Sequence, residues 1–172
     1  MMRYSKSLAD LQDWEPRGGF ELRRYDRNDD GQIRKLMRLV GFEHAAGEYY
    51  EAELMPRDER KEGTHVVVHD GGIVGAAFAG REDETAGRID FVVADPKLSG
   101  NGIGYAVCAG VTRHLLENVY ENGILMTDDW RLPAVSTYLK LGFEPVFHRD
   151  DMEKPWDAVH ARLARNWSHA KA

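Results

Sequence analysis

The sequence predicts an α/β domain built on one mixed sheet, and three observations lead to it. The runs THVVVH (64–69) and GIVGAAFAG (72–80) are rich in β-branched or apolar residues and are joined by Asp70-Gly71-Gly72, a strong hairpin signal. Downstream, an apolar strand pattern, a helical pattern and a second strand pattern follow one another between residues 88 and 127, which reads as a crossover. The 172 residues, 42% hydrophobic and 30% charged, suit one globular domain with a sizeable core.

Residues 1–19 end in Arg17-Gly18-Gly19 and read as an irregular or partly helical lead-in. FELRRY (20–25) alternates apolar and polar residues, as a strand does. From Asp29 or Asp30, the spacing of Ile33, Leu36, Met37 and Val40 predicts a helix that Gly41 stops. Residues 47–60 suggest a second, shorter helix broken near Pro56. After the hairpin, the polar turn 81–87 leads into IDFVVA (89–94), which Asp95-Pro96 ends because proline cannot continue a ladder. Ile103, Val107, Val111 and Leu115 then form a helical stripe among small neighbours that permit close packing on a sheet. Asn122-Gly123 ends that unit, and ILMT (124–127) is a short buried strand. A helix over about 131–141 buries Leu132, Val135 and Leu139, tolerates Pro133 in its first turn and stops at Gly142. FEPVF (143–147) is a strand, and a last helix over about 156–167 carries Trp156, Val159, Leu163 and Trp167 on one face. The predicted organisation is a lead-in (1–19), a domain (20–147) and a helical extension packed on it (148–172).

The formal net charge of −6 argues against nonspecific binding of nucleic acid or an acidic membrane surface. No apolar run approaches membrane-spanning length, and the N-terminus lacks the layout of a signal peptide. The single cysteine, Cys108, excludes an internal disulfide and fits a reducing, cytoplasmic setting. Its place in an apolar helix favours packing over nucleophilic chemistry. The seven histidines show no HExxH or other close ligand spacing, so no metal is assigned. Asp26-Arg27-Asn28-Asp29-Asp30-Gly31-Gln32-Ile33 matches a calcium loop in part, but Met37 stands where the closing Glu belongs, and an acidic turn before a helix explains it as well.

Ser99-Gly100-Asn101-Gly102-Ile103-Gly104 places three glycines in six positions immediately before a helix. Such a turn aims backbone N–H groups and the positive end of the helix dipole at one spot, a site for an anion and most plausibly a phosphate. The dinucleotide fingerprint fits poorly, because the glycines alternate and the strand before them is not the first. The phosphate-loop pattern fails because no Gly-Lys-Ser/Thr follows.

The stretch VVADPKLSGNGIGYAV resembles the acetyl-CoA signature of the GNAT superfamily of N-acetyltransferases, with Gly102, Ile103 and Gly104 in place and Ser99 where an Arg or Gln is usual. TYLKLGFEPV (137–146) is similar to the second signature of that superfamily, a Tyr four residues before Gly-Phe, with Ala134 in register and Arg131 where Asn is frequent. The resemblance covers about residues 20–147 and implies a mostly antiparallel central sheet flanked by helices. It also implies that acetyl-CoA lies between the strands 88–94 and 124–127. Its pantetheine would pair with the backbone of Val92, Val93 and Ala94. Its pyrophosphate would sit on the N–H groups of Gly100, Asn101, Gly102, Ile103, Gly104 and Tyr105, with Ser99 also in the cofactor site. The superfamily commonly adds a seventh strand after the sixth, where this chain has a helical pattern instead.

The resemblance implies that Tyr138 is the general acid that protonates the leaving thiolate, and a phenol is neutral at pH 7 and able to donate. The position of the usual glutamate base is taken by Arg88. Asp90 points to the same strand face and is the candidate base, directly or through water; pairing with Arg88 would explain it equally. Asp128 and Asp129 are rivals for that role, or caps of the following helix. The expected activity is transfer of an acetyl or short acyl group from acyl-CoA to an amine of a small molecule or peptide, by direct attack in a ternary complex. A non-catalytic acyl-CoA sensor of the same fold is the competing class. Residues 29–60 and the segment after Asp128 are expected to shape the acceptor pocket, with Glu43, Glu48, Glu51, Asp128 and Asp129 available to attract a cation. The last helix is free to cover a sheet face, to close over the cofactor or to meet a second copy in a homodimer.

Overall fold

The computed structural model describes residues 1–12, 14, 18–55, 58–118, 120–147 and 153–169. Seven strands form one sheet in the order β2-β3-β4-β5-β6-β1-β7. They are β1 (Met2–Tyr4), β2 (Glu21–Arg24), β3 (His65–His69), β4 (Gly72–Arg81), β5 (Ala86–Ala94), β6 (Asn122–Leu125) and β7 (Glu144–Pro145). Every neighbouring pair is antiparallel except β5 and β6, which run parallel. The helices are α1 (Asp30–Leu39), α2 (Asp58–Gly63), α3 (Ile103–Glu117), α4 (Leu132–Leu141) and α5 (Glu153–His169). The architecture is the mixed, mostly antiparallel sheet flanked by helices that the sequence predicts.

The lead-in corrects the sequence reading. Met2 and Tyr4 are fully buried, and β1 lies between β6 and β7, antiparallel to both. The chain thus reaches seven strands from its N-terminal end, while the segment after β7 forms α5. The FEPVF strand shrinks to the two residues that pair with β1, with Val146 N donating to Met1 O at 3.1 Å. The strand expected at 124–127 starts two residues earlier and ends at Leu125.

Local chemistry explains the first helical region. The Asp26 side chain accepts from Asn28 N, and Asp29 accepts from Asp26 N, a reciprocal cap on the turn before α1. Arg23 forks onto Asp29 at 2.7 and 2.8 Å. Asp30 accepts from the hydroxyls of Tyr25 and Tyr50 at 2.7 and 2.9 Å. The acidic run that resembles a calcium loop is therefore spent on caps, an ion pair and two phenols. Residues 50–54 form one wide π-helical turn, and α2 follows; Pro56 lies outside the described residues.

Two apolar clusters hold the layers. One gathers Ile33, Leu36 and Met37 of α1 with Tyr50, Phe78 and Val93. The other packs α3 through Val107, Val111 and Leu115 onto Val67, Ala77 and Ile89. Gly75 lets α3 come this close: a Cβ there would stand 2.2 Å from Ile103 Cγ2. Val159 and Leu163 of α5 pack on Val135 of α4, with Trp156 beside them; the Trp167 side chain lies outside the described ones. The last helix thus covers α4. Among the described residues no helix is long and apolar enough to cross a membrane.

Candidate active site

The site begins where β5 and β6 part. Their parallel register ends at Ile89 and Leu125, but β5 continues to Ala94. Beyond Ile89 its β6-side edge is therefore open for an extended partner to add hydrogen bonds.

A bulge lies within this open stretch. Ala76 pairs with Val93 and Phe78 with Asp90, so β5 spends two residues, Phe91 and Val92, against Ala77 alone. Phe91 takes φ 45°, a conformation unfavourable for a bulky residue. Edge-on contacts with Phe42 and Phe78, and a tilted one with Tyr49, hold it there.

Two cavities meet at the opening. One, of about 440 Å³, runs along Val92, Ala94, Ser99, Gly100, Gly102, Ile103, Gly104 and Tyr105 to Thr137 and Lys140 of α4. Eight of the ten residues expected to hold a cofactor line it. The other two do not: Val93 turns into the core on the α1 side, and Asn101 is exposed, its amide donating to Leu98 O at 2.9 Å. The second cavity, of about 320 Å³, is bounded by Phe42, Phe91, Met126, Asp128 and their neighbours. Val92, Arg131 and Tyr138 line both.

The cofactor-side cavity is built for an anion at its turn. Asp95 caps the short helical turn Pro96–Leu98 by accepting from Lys97 N. Gly102, with φ 73°, is the N-cap of α3 and reverses the chain into it. A Cβ on Gly102 would meet Trp14 Nε1 at 2.9 Å. The N–H groups of Ile103 and Gly104 open a fifteen-residue helix and have no partner within it. Together with the dipole and the open edge of β5, these groups fit the pyrophosphate and amide arm of CoA.

Tyr138 lies on the buried side of α4, against Phe143 at 6.3 Å between ring centroids. Burial raises its phenol above the ordinary value, Cys108 adds to the rise, and the charge of Arg131 opposes it. A phenol so placed is a neutral proton donor at neutral pH. Burial likewise raises the Cys108 thiol, in keeping with a packing role.

Asp90 lines the acceptor-side cavity and is also held by two arginines. Its Oδ2 faces Arg60 Nη2 at 2.9 Å, and its Oδ1 faces Arg88 Nε at 2.9 Å. Arg60 is 3% exposed and also donates to Ala79 O. Asp128 stands at the acceptor-side mouth, its side chain 60% exposed, with Oδ2 3.4 Å from Arg131 Nε. Of the other acidic residues expected near the acceptor, Glu43 and Glu51 pair with Arg38 and Arg34 of α1.

Sequence reasoning missed Arg60, Trp14, Phe42 and Phe91. The first three sit in segments without a motif. Phe91 is a strand residue until the bulge re-aims it. Phe42 follows the Gly41 stop within the region expected to shape the acceptor pocket, which is the one signal that pointed to it.

Comparison with known proteins gives the family. The model of the acetyltransferase (GNAT) family matches residues 12–143. A mycothiol acetyltransferase of Saccharomonospora viridis is 38% identical over 69 residues, which are 40% of this chain and 22% of that enzyme. The chain thus spans about a fifth of the length of this curated relative. Among solved structures, an acetyltransferase of Trypanosoma brucei superposes with a TM-score of 0.59 at 26% identity, over 76% of this chain and 96% of that one. An aminoglycoside N-acetyltransferase in complex with CoA reaches 0.62 at 19% identity, over 80% and 99%. A Mycobacterium tuberculosis protein in complex with CoA reaches 0.60 at 19%, over 82% and 81%. The last two show likeness of fold. With its family model matched over most of its length and the two signatures on one notch, the chain belongs to the acetyltransferase (GNAT) family.

Proposed function

We propose that this chain transfers an acetyl or short acyl group from acyl-CoA to the amine of a small molecule, by direct attack. The observation that carries the reading is the meeting of the two cavities at Val92, Arg131 and Tyr138. Donor and acceptor entering from opposite sides are brought into contact there, which replaces a bimolecular encounter with a positioned one. Bound acyl-CoA supplies an activated thioester, so the protein's work is orientation and proton management.

In this reading the open edge of β5 at Val92 and Ala94 orients the donor arm, and the turn at Gly102–Gly104 holds the phosphates. An amine arrives protonated and must lose a proton before it attacks. Asp128, exposed at the acceptor mouth, accepts it directly or through water. Asp90 orders Arg60 and Arg88 rather than acting as the base. As the N–C bond forms and the C–S bond breaks, Tyr138 gives its proton to the departing sulfur, and the second proton shed by the acylated nitrogen passes through water to restore the phenol. The free, buried thiol of Cys108 is compatible with work in a reducing cytoplasm.

The test combines two measurements. Acetyl-CoA should raise the melting temperature in proportion to its saturation of the native state. Thiol release should follow when amines are added. An unchanged melting temperature over a wide CoA range would remove the cofactor assignment. Binding without thiol release for a broad amine panel would leave a sensor.

A further inference from the structure

We infer that Arg131 binds the carboxylate of the acceptor, which makes the acceptor a free α-amino acid with an apolar side chain; this rests on the acyltransferase reading above. Arg131 lines both cavities together with Val92 and Tyr138, so it stands at the junction where they meet. Its faces are taken by aromatic rings, with the guanidinium carbon 5.5 Å from the Phe42 centroid and 4.9 Å from that of Trp130. Its Nε edge faces Asp128 at 3.4 Å. The two rings and the charge of Asp128 attract the cation to this place. Among the described residues, no hydrogen bond is made by the guanidinium nitrogens of Arg131, and its Nε is buried without one. A planar fork held in this way matches a carboxylate through two parallel N–H···O bonds.

The neighbouring charge completes the match. Asp128 lies on the same mouth, so a cation and an anion stand side by side, as the ammonium and carboxylate of a zwitterion do. The short span between them suits an amine and a carboxylate on one carbon. Phe42, Phe91, Leu125 and Met126 line much of the remaining wall, which favours an apolar side chain. A phosphate of the donor is the poorer partner for Arg131, because the backbone cradle for phosphate lies at the Gly102 end of the other cavity.

The experiment compares each amino acid with the amine that lacks only its carboxylate: phenylalanine with 2-phenylethylamine, and leucine with 3-methylbutylamine. Phenylalaninamide, which keeps the size and loses the charge, is the third arm. The wild-type protein should favour the acids by about tenfold or more in kcat/KM, as a charged hydrogen-bond pair gives. Arg131→Gln should bring the ratio to about one while CoA affinity, measured calorimetrically, stays unchanged. Equal use of acids and amines by the wild type would overturn the proposal. So would an Arg131→Gln variant that keeps the preference, or one whose main loss is CoA affinity. Calorimetry with N-acetylphenylalanine and N-acetyl-2-phenylethylamine in the presence of CoA separates this inference from the reading it rests on. Binding of the acid alone supports it even if no amine is turned over, in which case the transferase reading fails by itself. Binding of neither, or of both equally, overturns it.

Discussion

Arg60 and Asp90 are thirty residues apart in the chain and meet with Nη2 2.9 Å from Oδ2, the arginine almost fully buried. Gly80 permits the contact: a Cβ there would approach Asp90 Oδ2 to 3.1 Å and Arg60 Nη2 to 3.4 Å. Arg88 closes on the other oxygen. Arg88 in turn pairs with Glu82, so the carboxylate of the candidate base lies within a four-residue ionic cluster.

Removing its charge should cost stability first. Asp90→Asn leaves Arg60 buried without its counter-charge and should lower unfolding free energy by about 3 kcal/mol in urea titrations. Where the variant is still folded, turnover should fall by less than about tenfold. A drop of a hundredfold or more, with loss of the acidic limb of the pH–rate profile, would restore Asp90 as the base.

Gly102→Ala tests the cofactor turn. The residue sits at φ 73° and faces Trp14 Nε1 where the new Cβ would lie, 2.9 Å away. The left-handed conformation costs a non-glycine residue about 1–2 kcal/mol. Relief by unwinding the first turn of α3 would move the phosphate donors, so CoA affinity should fall roughly tenfold, a loss of about 1.4 kcal/mol in binding. Calorimetric titration with CoA reads the change, and unaltered affinity would show that this turn does not carry the phosphates.

Tyr4→Ala tests the N-terminal strand. Tyr4 is fully buried, packs on Phe143 at 5.4 Å between centroids, and Phe143 in turn packs on Tyr138. Truncation should cost about 3–5 kcal/mol. Part of the loss should appear as weaker turnover, because the ring chain from β1 backs the face of α4 that carries Tyr138. Urea unfolding and steady-state rates check the two effects.

This strand also marks how far the sequence could be read. β1 is three residues long, and two buried side chains in alternation are too short a pattern to stand out. What makes it a strand is the slot between β6 and β7, a property of the tertiary fold. The glycine turn and Tyr138 were legible because their signals are local: glycines that reverse the chain into a helix, and a tyrosine placed against a Gly-Phe stop. Arg60, Trp14 and Phe42 gain meaning only when distant segments meet. Phe91 was misleading, since a bulge breaks the alternation that assigns strand faces. Pairing of Asp90 with Arg88 was one of its two sequence readings, but only the fold could bring Arg60 to it.

Stability should also depend on pH near neutrality. Burial holds the imidazoles of His65 and His114 below the usual value of 6.5, with the charge of Arg24 pressing the same way. The unfolded chain therefore takes up these protons at a higher pH than the folded one. Their contribution is complete above about pH 6.5 and is lost as pH falls below that value toward the folded-state values. The melting temperature should drop between pH 7.5 and 5.5, and less so in His65→Gln. An equal drop in that variant would place the effect elsewhere.

The most direct test of the account is Tyr138→Phe, read by thiol release and CoA calorimetry on the same preparation. The substitution keeps the ring against Phe143 and removes only the hydroxyl of a residue that borders both cavities. The account predicts a fall in kcat of about a hundredfold or more, as loss of a positioned proton donor gives, with CoA affinity unchanged. Turnover equal to the wild type would contradict it and take Tyr138 out of the mechanism.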